Sequence, residues 1–172
     1  MSNYVGYRKK LQKSARDIIR KTPFPPRVEP TKYESEYMNC YSFALNLPIE
    51  DPEKEFFSPG CISNPHGESA IWDSALKWMK KDLYYLGLKF REIDLSEKDN
   101  FVLNDGEYAI AIYREISTFH DMPFDFHMIR RDQNGMWHDK NGWKVKFNMY
   151  SKLPDLTDYN LQLEGILAIS KK

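Results

Sequence analysis

Two cysteines, Cys40 and Cys61, and four histidines limit the nucleophilic chemistry open to this chain of 172 residues. A thiol attacks as its thiolate, a form favoured by a helix N-terminus and by a neighbouring imidazole. In MNCYSFALNLP, Asn39 can cap a short helix, Phe43, Ala44 and Leu47 supply its apolar contacts, and Pro48 stops it, so Cys40 falls in the first turn. A small cysteine in an apolar helix is more often plain core. Cys40 therefore acquires chemical meaning only with a base beside it.

His127, in FDFHMIRRD, is the candidate base. The hairpin after it can be read geometrically. In DQNG, Asp132 suits the first position of a type I turn and Gly135 the left-handed position that follows, which makes a three-residue loop. That register pairs Asp132 with Met136, Ile129 with Asp139 and His127 with Asn141, so that His127, Asp139 and Asn141 share one face. A two-residue Asn-Gly turn would slip the register by one and bring His138 to that face instead. Taken singly, His127 reads equally well as a half-buried histidine bonded to a carbonyl, and Asp139 as a solvated charge.

The order of a cysteine on an early helix, a histidine on a strand and a polar residue on the next strand resembles the papain-like cysteine peptidase superfamily. It resembles more closely the compact NlpC-like members, in which a strand beginning with His turns through a Gly-containing hairpin to a polar orienting residue; here that position is Asp139. The stretch NCYSFALNLP with a later PG, and the hairpin HMIRRDQNGMWHDKNG, also look like a bacterial and phage group with an N-C-Y helix and an H-W-Y-R-like strand. KNGW is similar to the K-N-S-W-G of papain itself, whose Asn is the orienting residue, which makes Asn141 the alternative third member. The likeness spans roughly Tyr37 to Trp143. The D-C-S-G nucleophile motif of the cell-wall peptidases is missing, so peptidoglycan is not implied as substrate.

What the resemblance implies is a cysteine-dependent hydrolase, a peptidase, amidase or related acyl transferase acting on a protein or peptide. Cys40 would be the nucleophile, His127 the base, and Asp139 or Asn141 the residue that fixes the ring. The oxyanion would be held by the Cys40 N–H and a second donor, for which Tyr33, Tyr37 and Asn39 are candidates. No cofactor is expected. A non-enzymatic alternative uses the same scaffold, in a phage-encoded protein for example, as a protein-binding module or inhibitor.

Positioning these groups falls to a helical first half and a stranded second half. Apolar Leu11, Ala15, Ile18 and Ile19 form one side of a basic helix from about Tyr4 to Lys21, which TPFPPRVEP ends. ESAIWDSALKWMKKDLYYLG is amphipathic, with a stripe through Ile71, Trp72, Ala75, Trp78, Met79 and Leu83 and a stop at Gly87, so Trp72 and Trp78 are read as core. LKFREID, EYAIAIYREI, FDFHMIRRD, GMWHDK, WKVKFNMY and LEGILAIS have strand character between turns such as NDG and QNG. The expected fold is α+β, papain-like or NlpC-like, with N-terminal helices packed on a mostly antiparallel sheet. Residues 1–30 read as a basic arm and connector, and 31–172 as the catalytic domain.

Twenty-five Lys and Arg balance twenty-five Asp and Glu, so no overall field draws the chain to nucleic acid or an anionic membrane. Locally, RKKLQKSARDIIRK is basic and the region of Glu34, Glu36, Glu50, Asp51, Glu53 and Glu55 acidic. A phosphate-binding helix using Arg8, Lys9, Lys10, Lys13, Arg16, Arg20 and Lys21 lacks interleaved aromatics, and a solvated face or an arm on an acidic partner is the expectation. MSNYVGYRKK has no signal-peptide core and no stretch nears the roughly 20 apolar residues of a membrane span, so a cytoplasmic protein with free thiols is expected. Zinc is not expected from Cys40, Cys61, His66 and His127, which lack paired knuckles, and Cys61 lies in a Pro/Gly loop with no helix after it.

Overall fold

A computed structural model describes residues 2–25, 38–47, 58–64, 74–116, 125–141 and 146–171, with the backbone alone for 2–11, 141 and 146. The protein is α+β. Among the described residues the α-helices are α1 (Ser2–Lys21), α2 (Cys40–Leu45) and α3 (Ala75–Leu86). Its strands are β1 (Leu88–Ile93), β2 (Tyr108–Glu115), β3 (Phe126–Arg131), β4 (Trp137–Asn141), β5 (Lys146–Tyr150) and β6 (Leu161–Lys171). No helix among the described residues is long and apolar enough to cross a membrane.

The strands form one antiparallel sheet in the order β1-β6-β2-β3-β4-β5. The last strand therefore sits between the first two. β2 is buried on both faces from Tyr108 to Tyr113, as is β6 from Gly165 to Ile169, the pattern of central strands. Even-numbered β2 residues, Tyr108, Ile110 and Ile112, join Met128, Leu167 and Ile169 beneath the helices, with Tyr41, Ala44, Met79 and Leu83 above them. The opposite face gathers Ala109, Ala111, Tyr113, Ile129, Trp137 and Ile166 under the loops that carry Phe101, Leu153 and Leu156.

The basic arm packs into the helix layer: Ala15 and Ile19 are buried in its core, and Gln12 Nε2 donates to the Ile62 carbonyl. Arg16 donates to the Tyr85 carbonyl at 2.6 Å and lies over the Tyr85 ring, while Arg20 pairs with Asp17 at 3.4 Å. Two of the cations in the phosphate-binding reading are thus engaged within the protein. Trp78, read from its spacing as core, is only half-buried, with Lys81 Nζ 4.0 Å from its ring centroid. The stripe of α3 that enters the core is Ala75, Met79, Leu83 and Leu86, and Trp78 flanks it. Ile71 and Trp72 lie outside the described residues.

A register shift in the β2–β6 pairing leaves Glu164 as an extra residue between Leu163, opposite Tyr113, and Gly165, opposite Ile112. The bulged carboxylate accepts from the Leu76 N–H at 3.0 Å and from the Ser74 hydroxyl at 3.3 Å. Ser74 itself accepts from the Lys77 N–H at 3.1 Å, so two amides of the α3 first turn, which no helical carbonyl can serve, find acceptors. At the other end Gly87 takes the left-handed cap at φ 77°.

Candidate active site

Asn39 caps α2 as its sequence suggests. Its side-chain oxygen accepts from the Ser42 N–H at 2.8 Å and the Ser42 hydroxyl accepts from the Asn39 N–H at 3.0 Å, a reciprocal capping box. Cys40 is the first helical residue. The helix closes at Asn46, whose left-handed φ of 52° lets its N–H return to the Phe43 carbonyl; Pro48, expected as the stop, lies outside the described residues. Asn39 Oδ1 is thus committed to the cap.

The hairpin after β3 has the three-residue loop. Asp132 N–H donates to the Met136 carbonyl, Gly135 N–H donates to the Asp132 carbonyl, and Gly135 sits at φ 91°. Ile129 pairs with Asp139, Arg130 with His138 and Arg131 with Trp137. Strand alternation then sends His127, Ile129 and Asp139 to one face and Met128, Arg130, His138 and Lys140 to the other. The tighter turn, and with it His138 as a partner of the site, is excluded by this register. His138 instead bonds Asp132 Oδ2 through Nε2 at 2.9 Å and stacks on Phe147.

His127 Nε2 meets Asp139 Oδ2 at 3.0 Å, with both side chains almost fully buried. Cys40 Sγ lies 3.9 Å from the carbonyl oxygen of Phe126, the residue before His127, and interacts with the imidazole itself. With Nε2 given to Asp139, Nδ1 is the nitrogen left for sulfur. Burial opposes charge on the ring, but the hydrogen bond to Asp139 and the neighbouring Cys40 outweigh it and raise His127 to about 10. The ring is therefore held as imidazolium at neutral pH.

Asp139 has further partners that the sequence reading missed. Asn148 Nδ2 donates to Oδ1 at 2.7 Å and the Tyr150 hydroxyl to Oδ2 at 3.3 Å. Both come from β5, where Asp139 pairs with Asn148 and the two residues share a face. Burial, and then the Asp139 carboxylate, push the Tyr150 phenol up to about 12, so it stays a donor at neutral pH. The polar alternation in FNMY was the available signal.

Asn141 forms the end of β4 opposite Lys146, but its side chain lies outside the described residues, as do Tyr33 and Tyr37. Cys61 is placed elsewhere, beside Tyr41 on a loop pinned by Asp82. That buried carboxylate accepts from the Tyr41 hydroxyl at 2.6 Å and from the N–H groups of Gly60 and Ser63 at 2.5 and 2.7 Å. Neither Cys40 nor Cys61 is in a disulfide. Among the described residues, no three His, Cys, Asp or Glu side chains are arranged to hold a metal ion, and His66 lies outside them.

Comparison of the chain with protein-family models, with curated proteins and with solved structures finds no match.

Proposed function

We propose that this chain is a cysteine-dependent hydrolase on a papain-like, NlpC-like scaffold, with Cys40 as nucleophile, His127 as its proton partner and Asp139 as the residue that orients the ring. The observation that carries this reading is the chain of contacts from Asp139 through His127 to Cys40, drawn from two strands and a capped helix start. An imidazolium held to about 10 supports a thiolate–imidazolium pair formed before substrate arrives. Sulfur attacks the carbonyl carbon of an amide, a C–S bond forms and the C–N bond breaks. The proton leaves His127 for the departing amine. Water then attacks the thioester, gives its proton to His127 and releases the carboxylic acid with sulfur as leaving group. The Cys40 N–H, among the amides a helix start leaves outside its ladder, supplies one oxyanion donor.

Cys40 is 7% exposed and His127 9%, which favours a second reading in which the pair is structural and the chain is a protein-binding module. Iodoacetamide separates the two. The hydrolase predicts that Cys40 alkylates faster than a free cysteine peptide near neutral pH, that Cys40→Ala abolishes activity, and that mass spectrometry traps an acyl group on Cys40. Alkylation no faster than the peptide, with biological activity intact in Cys40→Ala, would refute it.

A further inference from the structure

Lys140 is the residue after Asp139 on β4, and it is completely buried. Alternation turns it to the face opposite Asp139, and its cross-strand neighbour is Phe147. Phe147 locates this spot: its ring meets Phe43 of α2 edge-on at 5.7 Å and stacks with His138 at 5.5 Å. Cys40 stands one helical turn before Phe43, so Lys140 lies beneath the first turn of α2, at the end of the sheet where β3 begins and β4 finishes. The Lys140 side chain and the Cys40 thiol are thus near neighbours, and negative charge on the sulfur would raise the hold of the ammonium on its proton.

A buried lysine is costly unless charge or hydrogen bonds compensate it. Burial pushes the Lys140 ammonium down from its ordinary value, and the neighbouring Cys40 pulls it back up. Around the sulfur, α2 contributes the capped helix start, β3 the His127 ring and Phe126 carbonyl, and β4 the Lys140 ammonium, with Asp139 one residue further behind the ring. Arg130, the other buried cation of this face, is directed to the Phe43 carbonyl at 3.1 Å and to the Phe43 ring.

We propose that Lys140 is a positioning residue of the Cys40 site, a second cation that stabilises negative charge on the sulfur from the side of the sheet away from His127. The inference rests on the hydrolase reading of Cys40 and adds to it a division of labour. His127 carries the proton that moves. Lys140, sealed from solvent, supplies a charge that takes no part in the proton transfers and stabilises the thiolate before it attacks and again as it leaves the thioester.

The test follows alkylation of Cys40 by iodoacetamide, resolved by peptide mass spectrometry, from pH 5 to pH 10. Lys140→Met is expected to slow the reaction about tenfold at pH 6, the effect of roughly 1.4 kcal/mol on the anion, and far less at pH 10. Lys140→Arg restores most of the rate. Unchanged rates across the range in folded Lys140→Met overturn the proposal. Should Lys140→Met not fold, the coupling is read from the other side: by NMR of the lysine Nζ groups, Lys140 titrates at lower pH in Cys40→Ala than in the unaltered chain, and an identical titration in both overturns it. His127→Ala separates this inference from the parent reading. If His127→Ala slows alkylation and Lys140→Met does not, only the role of Lys140 falls; if the unaltered chain reacts no faster than a cysteine peptide, both fall.

Discussion

Asn148 donates to Asp139 across the β4–β5 pair at 2.7 Å, a shorter contact than the 3.0 Å between Asp139 and His127. The carboxylate is therefore fixed by the neighbouring strand before it fixes the ring. Asn148→Ala removes a charge-assisted bond at a buried site, with an expected loss of about 1.5–3 kcal/mol in urea unfolding. Tyr150→Phe removes the longer 3.3 Å contact and costs less. The reverse order of the two losses would contradict this account.

His127 also sets a pH dependence of stability. Its value rises from 6.5 in the unfolded chain to about 10 in the folded one, so its contribution is fully present below pH 6.5 and is lost as pH rises through 10. The urea midpoint should fall between those limits. Asp139→Asn withdraws the hydrogen-bonded charge that holds the ring protonated, and the fall across the same window should shrink. An equal fall in both proteins would place its origin elsewhere.

The cap of α2 separates structural from electrostatic effects at one position. Asn39→Ala breaks the reciprocal bonds with Ser42 and should cost about 1 kcal/mol. Asn39→Asp keeps an acceptor for the Ser42 N–H and should retain stability. It also puts a negative charge next to the Cys40 sulfur, so iodoacetamide should react more slowly with it than with the unaltered chain. Equal stability losses in the two variants would show that capping is not what Asn39 provides.

Glu164 makes the start of α3 sensitive to a residue far away in sequence. Glu164→Ala strips an acceptor from the Leu76 N–H and a negative charge from the helix N-terminus, with an expected cost of about 1 kcal/mol by thermal or urea unfolding. Glu164→Gln should retain part of the loss, because its amide oxygen still accepts while the charge is gone.

The strands from Leu88 to Lys171 were legible because their turns carry specific chemistry: Gly87 ends a helix, Gly106 and Gly135 end the polar turns NDG and QNG, and all three adopt positive φ. The same logic made the His127–Asp139 face readable, since a three-residue loop admits only one register. Sheet order was a different matter. Nothing local in LEGILAIS says that it pairs with β1 and β2 at once, although its uninterrupted apolar run was a hint of a central strand. Asn148, Tyr150 and Lys140 were missed for one physical reason: each acts through a neighbour across a strand pair or beneath a helix, and their own sequence contexts look like ordinary polar positions of an alternating strand. Trp78 misled for the converse reason, because helical spacing fixes the direction of a side chain and not how far the core extends.

The insertion of β6 between β1 and β2 bears on the order in which a newly made chain assembles. Until residues 161–171 leave the ribosome, β2 presents an unpaired edge, and β1 with α3 has no strand to join it to the rest of the sheet. The contacts that close the sheet are long-range in sequence and slow to form. A nascent chain can cap α2 and turn the β3–β4 hairpin early, but the platform under Cys40 and His127 is completed only when synthesis has passed β6. On the hydrolase reading, the Cys40–His127 pair is in this way assembled only after β6 has joined the sheet.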